Sequence, residues 1–261
     1  MKWILLSMFV CFINRSFAVV TLSNVSVSSA EKKYPKLFVK TQEGFQWSHA
    51  SLNISGTFTV DKNLLVANCT LLLAPEAKIM IAAGNTFTLR SDGEGQTLLK
   101  AGDKIMWDGI YIQGSAAHLV SSSASKGQQT TIQDARNAIV SQNGGDFLVE
   151  RTILQKNNKD IVVTIYPTVN HTGRVRESIL QTGTGTLLPF FTGNILNAPL
   201  PRTNMGIQLT RVKDIQIGDA SAGVGANLFD NMDVGISSIG SKLKIYNNNF
   251  QNITSFGNGK A

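Results

Sequence analysis

Cysteine is almost missing from this chain of 261 residues. There are two, Cys11 and Cys69, and Cys11 lies in an apolar segment at the N-terminus. With one cysteine left after that segment, an internal disulfide is excluded, and stability has to come from packing and hydrogen-bond ladders. Charge is also scarce: 16% of residues are charged against 43% hydrophobic, which is enough apolar material for a substantial core and argues against disorder. No run reaches the roughly 18 apolar residues of a membrane-spanning helix. Catalytic signatures are lacking as well. His49, His118 and His171 stand singly, with no spacing that would pair them as metal ligands, and neither a D-x-D pair nor a G-x-S-x-G sequence occurs. No metal site and no cofactor is expected.

The first 18 residues read as a signal peptide. Lys2 supplies the positive start, Trp3 to Ile13 an apolar run too short to cross a bilayer, and Ser16-Phe17-Ala18 a cleavage site flanked by small residues. Cys11 lacks the small residues before it that lipid attachment would need. Removing the segment takes Lys2 and Arg15 away and no acid, so the net charge of +7 becomes 7 − 2 = +5. The remaining basic residues are scattered, with no interleaved aromatic and basic pattern, so nucleic acid is not an expected partner. A secreted or cell-surface protein is the expectation.

Residues 19–50 are Ser-rich and then mixed, and read as a leader or cap. From residue 51 short apolar bursts alternate with turn residues: T-F-T-V at 57–60, L-L-V at 64–66, T-L-L-L at 70–73, I-M-I at 79–81, T-F-T-L at 86–89, T-L-L at 97–99 and I-Y-I at 110–112. Bursts of three or four residues are too short for helices and predict strands. A longer period lies over them. Leu65 to Phe87, Phe87 to Ile110 and Ile139 to Ile161 are about one 22-residue step apart, and Ile110 to Ile139 and Ile207 to Ile236 are longer by the Ser-rich stretch 121–129 and the Gly/Ala-rich stretch 219–226. The prediction is an all-β chain, a right-handed parallel β-helix over 51–261 with turns of roughly 22 residues and loop insertions. A β-sandwich is the alternative, with longer strands and clearer hairpin turns. Asn137, Asn143-Gly144-Gly145, Asn157-Asn158 and Asn247 to Asn249 are the expected corners, and Tyr166 to Pro201, with four of the six prolines, is expected to form projecting loops. Cys69, in V-A-N-C-T-L-L-L, is expected to be a buried, inert thiol.

Four stretches, C-T-L-L-L-A-P-E-A-K-I-M-I-A-A-G-N-T-F-T-L at 69–89, M-W-D-G-I-Y-I at 106–112, I-Q-D-A-R-N-A-I at 132–139 and A-N-L-F-D-N-M-D-V-G-I at 226–236, resemble secreted right-handed parallel β-helix repeat proteins of Bacteroidota, in the broad pectate-lyase-like fold group. The resemblance implies export and, in many members, a C-terminal sorting domain. The chain departs from it by ending directly after a repeat, as a truncated piece of a longer protein would.

Enzymes of that fold group carry their chemistry on outward positions of one stacked strand. If Ile110, Ile139, Ile161, Ile207 and Ile236 point inward, the next residues outward are Tyr111, Val140, Val162, Gln208 and Ser237, none of which abstracts a proton or holds calcium strongly. The edge before that strand is richer, with Lys104, Asp108, Asp134, Arg136, Lys159 and Asp160. Stacked into one strip, these would supply the paired acids and bases of a polysaccharide lyase or glycoside hydrolase; spread out, they are a solvated, mutually neutralising edge. Trp107 and Tyr111 are candidates for stacking on sugar rings, and Trp107 reads equally as a core residue. The expected function is a non-catalytic binding or adhesion scaffold for polysaccharide or a cell-envelope glycan. The alternatives are a lyase or hydrolase using the Asp108/Asp134/Asp160 edge, and a structural stalk.

Overall fold

A computed structural model describes residues 20–114, 116–164, 172–190, 200–221 and 223–254. Residues 1–19, where a signal peptide is expected, His171 and parts of the proline-rich stretch lie outside these residues.

Among the described residues the chain is all-β apart from two short helical pieces, and its strands coil in one direction through three stacked columns. The first column holds Val20–Ser26, the start of Ser51–Val60, Thr70–Leu73, Leu98–Ala101, Thr130–Gln133, Thr152–Gln155, Ile179–Gln181, the start of Asn227–Ile239, and Asn248–Ile253. The second holds the end of Ser51–Val60, Lys78–Ile81, Gly109–Gln113, Asn137–Gln142, Lys159–Thr164, Thr203–Thr210 and the end of Asn227–Ile239. The third runs from Phe45–Ser48 through Leu64–Ala67, Thr86–Ser91, His118–Ser123, Asp146–Glu150, Gly173–Arg176 and Ile215–Ile217 to Leu243–Ile245. Every pairing within the columns is parallel, an arrangement consistent with a parallel β-helix. The seven bursts of residues 57–112 fall in strands, except that Thr97 precedes the strand that begins at Leu98.

Each column turns alternate residues of its rungs inward, two on many of them, because side chains alternate across a strand. Ile81 and Ile112 accompany Ile79 and Ile110 in this way, and Val175, Ile217 and Ile245 make a second row in the third column. In the first column one inward row is Leu52, Leu71, Leu99, Ile132, Leu154, Leu180, Phe229 and Phe250. In the second it is Phe58, Ile79, Ile110, Ile139, Ile161, Ile207 and Ile236, the isoleucine series expected from the sequence. In the third it is Phe45, Leu64, Phe87, Leu119 and Phe147, then Gly173, Ile215 and Leu243. At Gly173 a Cβ would stand 2.5 Å from the Phe147 ring and 2.7 Å from Ile215 Cδ1, so the two neighbours fill the place of the missing side chain.

The 22-residue turn is a property of a few rungs and not of the coil. Leu64 to Phe87 spans 23 residues and Ile139 to Ile161 spans 22, but Phe45 to Leu64 spans 19 and Gly173 to Ile215 spans 42. The Phe87-to-Ile110 step is not a rung at all: Phe87 pairs with Leu119 in the third column, and Ile110 with Ile79 in the second. All three columns present the same kind of apolar residue inward, so spacing alone does not say which column a burst belongs to.

The corners also differ from expectation. Asn143, Gly144 and Asn247 take positive φ, as do His49, Asn68, Glu76, Arg151, Lys156 and Glu177, but Asn137, Asn157 and Asn158 do not. Asn157 is instead fully buried and works through its amide, which accepts from Ala135 N at 2.9 Å and donates to Ile132 O at 3.1 Å.

Before the coil proper, Val20–Ser26 adds a strand beside Ser51–Val60, and helix Val27–Lys33 follows, buried through Val27 and Ala30. Ser26 and Ser29 close its capping box reciprocally, each hydroxyl accepting from the other's backbone N–H. At the other end Ile245 and Phe250 occupy inward rows yet are each 50% exposed, since no described strand lies beyond them.

Candidate functional site

The six charged residues of the expected strip are not assembled into one. Asp108 is half-buried at the start of its rung. It accepts a hydrogen bond from the Tyr111 hydroxyl, and the Arg136 guanidinium of the next rung stands 3.8 Å away. Burial, with the Asp108 charge behind it, pushes the Tyr111 phenol up to about 12. Arg136 also lies over the Phe190 ring, 5.9 Å from its centroid. Lys159, one rung farther on, donates to Gln208 Oε1 at 2.9 Å. Lys104 is exposed in a loop. Asp108, Arg136 and Lys159 are therefore engaged in separate polar contacts on the outside of the second column, and Lys104 stands apart from them.

The two remaining acids are elsewhere. Asp134 is 8% exposed, sits at a corner with φ 63°, and accepts from Gln133 Nε2 at 2.9 Å; burial raises its pKa. Asp160 is fully buried, one residue before inward Ile161. Its Oδ1 accepts from Asn157 at 2.9 Å, and its Oδ2 has no hydrogen-bond partner. Burial drives its pKa far above the usual carboxylate range. An acid sealed in the coil cannot meet a polymer at the surface, so the Asp108/Asp134/Asp160 edge does not exist as one catalytic face. Trp107 is likewise fully buried, its indole N–H donating to Gln133 O at 2.7 Å. It belongs to the core and offers no face to a sugar ring. Tyr111 keeps an outward position in the ladder that continues through Val140, Val162, Gln208 and Ser237.

The outside of the first column carries a feature absent from those expectations. Gln133, Gln155 and Gln181 stack on successive rungs. Gln155 Nε2 donates to Gln133 Oε1 at 2.8 Å and Gln181 Nε2 to Gln155 Oε1 at 3.2 Å. Two residues earlier on each rung, and so on the same face, stand Thr131, Ile153 and Ile179, followed by Leu228. The signal was present in sequence as T-I-Q-D, I-L-Q-K and I-L-Q-T at 131–134, 153–156 and 179–182, a repeated aliphatic-Gln pair one turn apart.

The third column has a cleft of about 430 Å³ outside it, lined by His118, Asp146, Val120, Leu148, Arg174 and Arg176 among others. His118 Nδ1 is 3.7 Å from Asp146 Oδ2. Arg176 is held by Glu150 at 3.0 Å and Asp219 at 3.5 Å, contacts that raise its pKa. Glu150 also meets Arg151, which reaches Glu177, and Glu177 in turn holds Lys126. This network ties the loops around 126, 177 and 219 to one corner of the coil. Among the described residues no group of three or more potential metal ligands occurs, and no helix is long and apolar enough to cross a membrane.

No protein-family model, curated protein or solved structure matches the chain.

Proposed function

We propose that this protein is an exported, extracellular or cell-surface binding scaffold for polysaccharide, built as a right-handed parallel β-helix of the pectate-lyase-like kind. Right-handedness follows from the general preference of parallel strand crossovers in a twisted sheet. The observation that carries the binding reading is the stacked Gln133, Gln155 and Gln181 line beside an aliphatic row. Amides exchange hydrogen bonds with hydroxyls, and aliphatic side chains cover the C–H faces of sugar rings. Rungs about 4.8 Å apart repeat both along the coil, which suits a repeating polymer. Affinity electrophoresis and pull-down on immobilised polysaccharides, with a glycan array beside them, test the reading. Retention on at least one polymer is expected, and uniformly blank results overturn it. Release of unsaturated or reducing ends that is lost in Asp108→Asn would replace it with the lyase or hydrolase alternative.

A further inference from the structure

The three outer surfaces of the coil differ in charge. The cleft on the third column presents Arg174 and Arg176 with His118 and Asp146, and the second column presents Asp108, Arg136 and Lys159. The first column has neither sign over its middle rungs: its two outward rows there are Thr131, Ile153 and Ile179, and Gln133, Gln155 and Gln181. The nearest charges flank it: Lys100 follows Leu99 on the rung before Gln133, and Asp134 and Lys156 lie at the corner beyond, with both lysines attracting Asp134. Farther along the glutamine row stands Asp230, which pairs in register with Gln181 and accepts from Asn252. At the other end Gln96 folds over the face, donating to Thr131 Oγ1 at 2.9 Å.

A primary amide has two N–H donors and two acceptor lone pairs. Along the ladder Gln155 uses one donor toward Gln133 and one lone pair toward Gln181, which leaves one of each for a ligand. A similar capacity recurs on each rung, beside Ile153 and Ile179 on two of them and beside the buried Thr131 on the third. Hydroxyls that donate and accept, together with C–H faces, satisfy such a surface completely. A carboxylated or sulfated polymer does not, because it would lose water around its charges and gain neutral amides in return.

We infer that the first column binds a neutral polysaccharide, with the chain lying along the coil axis across Gln133, Gln155 and Gln181. The inference rests on the polysaccharide reading above and narrows it to one ligand class and one face. The test uses the full chain and measures binding to neutral polymers (cellulose, chitin, a mixed-linkage glucan) and anionic ones (polygalacturonate, alginate), at low and high salt. Variants Gln155→Glu, Gln155→Met and Arg174→Ala are compared after thermal melts have checked their fold. Neutral polymers are expected to be retained with little salt dependence. Gln155→Met should weaken retention about tenfold, the worth of one or two lost hydrogen bonds. Gln155→Glu should weaken it at least as much, and Arg174→Ala should leave it unchanged. Retention of anionic polymers alone, suppressed by salt and by Arg174→Ala, overturns this inference while sparing the polysaccharide reading. So does neutral binding that survives in a folded Gln155→Met. Failure to retain any polymer sinks both.

Discussion

Two places in the interior bury polar groups equally deeply and to opposite effect. At the corner between the third and first columns, Cys69, Thr97, Thr130, Thr152, Ser178 and Asn227 occupy one position on successive rungs, and all are fully buried. Each has its partners. Thr130 Oγ1 donates to Ser122 O at 2.8 Å and Thr152 Oγ1 to Glu150 O at 3.0 Å. Ser178 Oγ donates to Arg176 O at 2.9 Å, and Asn227 accepts from Ser178 N at 2.9 Å while donating to Val175 O and Asn248 Oδ1. The column turns the bend while satisfying backbone groups that the sheet ladders leave over. Asp160, in the second column, is as buried but keeps one oxygen without a partner. Burial is neutral toward a polar group that is paired and costly to one that is not, most of all to an ionisable one.

The largest expected effect breaks the satisfied side. Asn227→Ala removes the acceptor of Ser178 N and the donor to Val175 O and opens a small cavity, so urea unfolding should show a loss of roughly 3 kcal/mol. A loss below about 1 kcal/mol would mean that water replaces the amide and that the column is not a structural spine. Next comes Asp160→Asn, which should stabilise. Because burial raises the Asp160 pKa, the folded state holds its proton more tightly than the unfolded chain. Stability is therefore greatest below the unfolded value of about 3.9 and falls as pH rises through the folded value. The asparagine does not ionise, so thermal melts at pH 8 should show a gain of about 1–2 kcal/mol that disappears near pH 4. An equal gain at both pH values would assign it to packing instead.

Cys69→Ser sharpens the comparison on a smaller scale. Cys69 donates through Sγ to Ala67 O at 3.2 Å and receives Ala50 N at 3.4 Å, and burial raises its thiol pKa. Serine supports the same two bonds and occurs in the column at Ser178, so a change within about 1 kcal/mol is expected. Thiol reagents should label the native protein only as it unfolds. The smallest effect belongs to the outside of the same corner. There Glu177 accepts from Gly225 N at 3.0 Å and from Arg151 at 2.9 Å, contacts that lower its pKa. Its contribution is present above the unfolded value of about 4.3 and is lost as pH falls through the folded one. Glu177→Gln should cost about 0.5–1 kcal/mol at neutral pH, less in high salt. Calorimetry with and without added salt checks it.

The strands at 57–112 and the isoleucine row from Ile110 to Ile236 were readable because alternation fixes which residues of a strand point the same way. The site was far less readable. Asp134 and Asp160 look alike on paper, one two residues before Arg136 and the other next to Lys159, and only the bend of the coil puts one at a corner and the other inside. Corner residues follow no period of two, so their direction cannot be counted off from the strand. The same holds for Trp107, whose neighbours Asp108 and Tyr111 are outward while it is not.

By itself the sequence determined the kind of chain: short strands without helical period, an apolar residue for every rung, and too little cysteine to staple anything else. That information is local, carried by alternation within four or five residues. The tertiary structure alone decided which burst stacks on which, that the spacing of rungs varies from 19 (Phe45 to Leu64) to 49 residues (Leu180 to Phe229), and that three glutamines far apart in sequence form one hydrogen-bonded line. The physical reason is that a loop lengthens a turn at little cost in closure entropy. The ladders absorb such insertions and keep their register, which the residue count then no longer reveals.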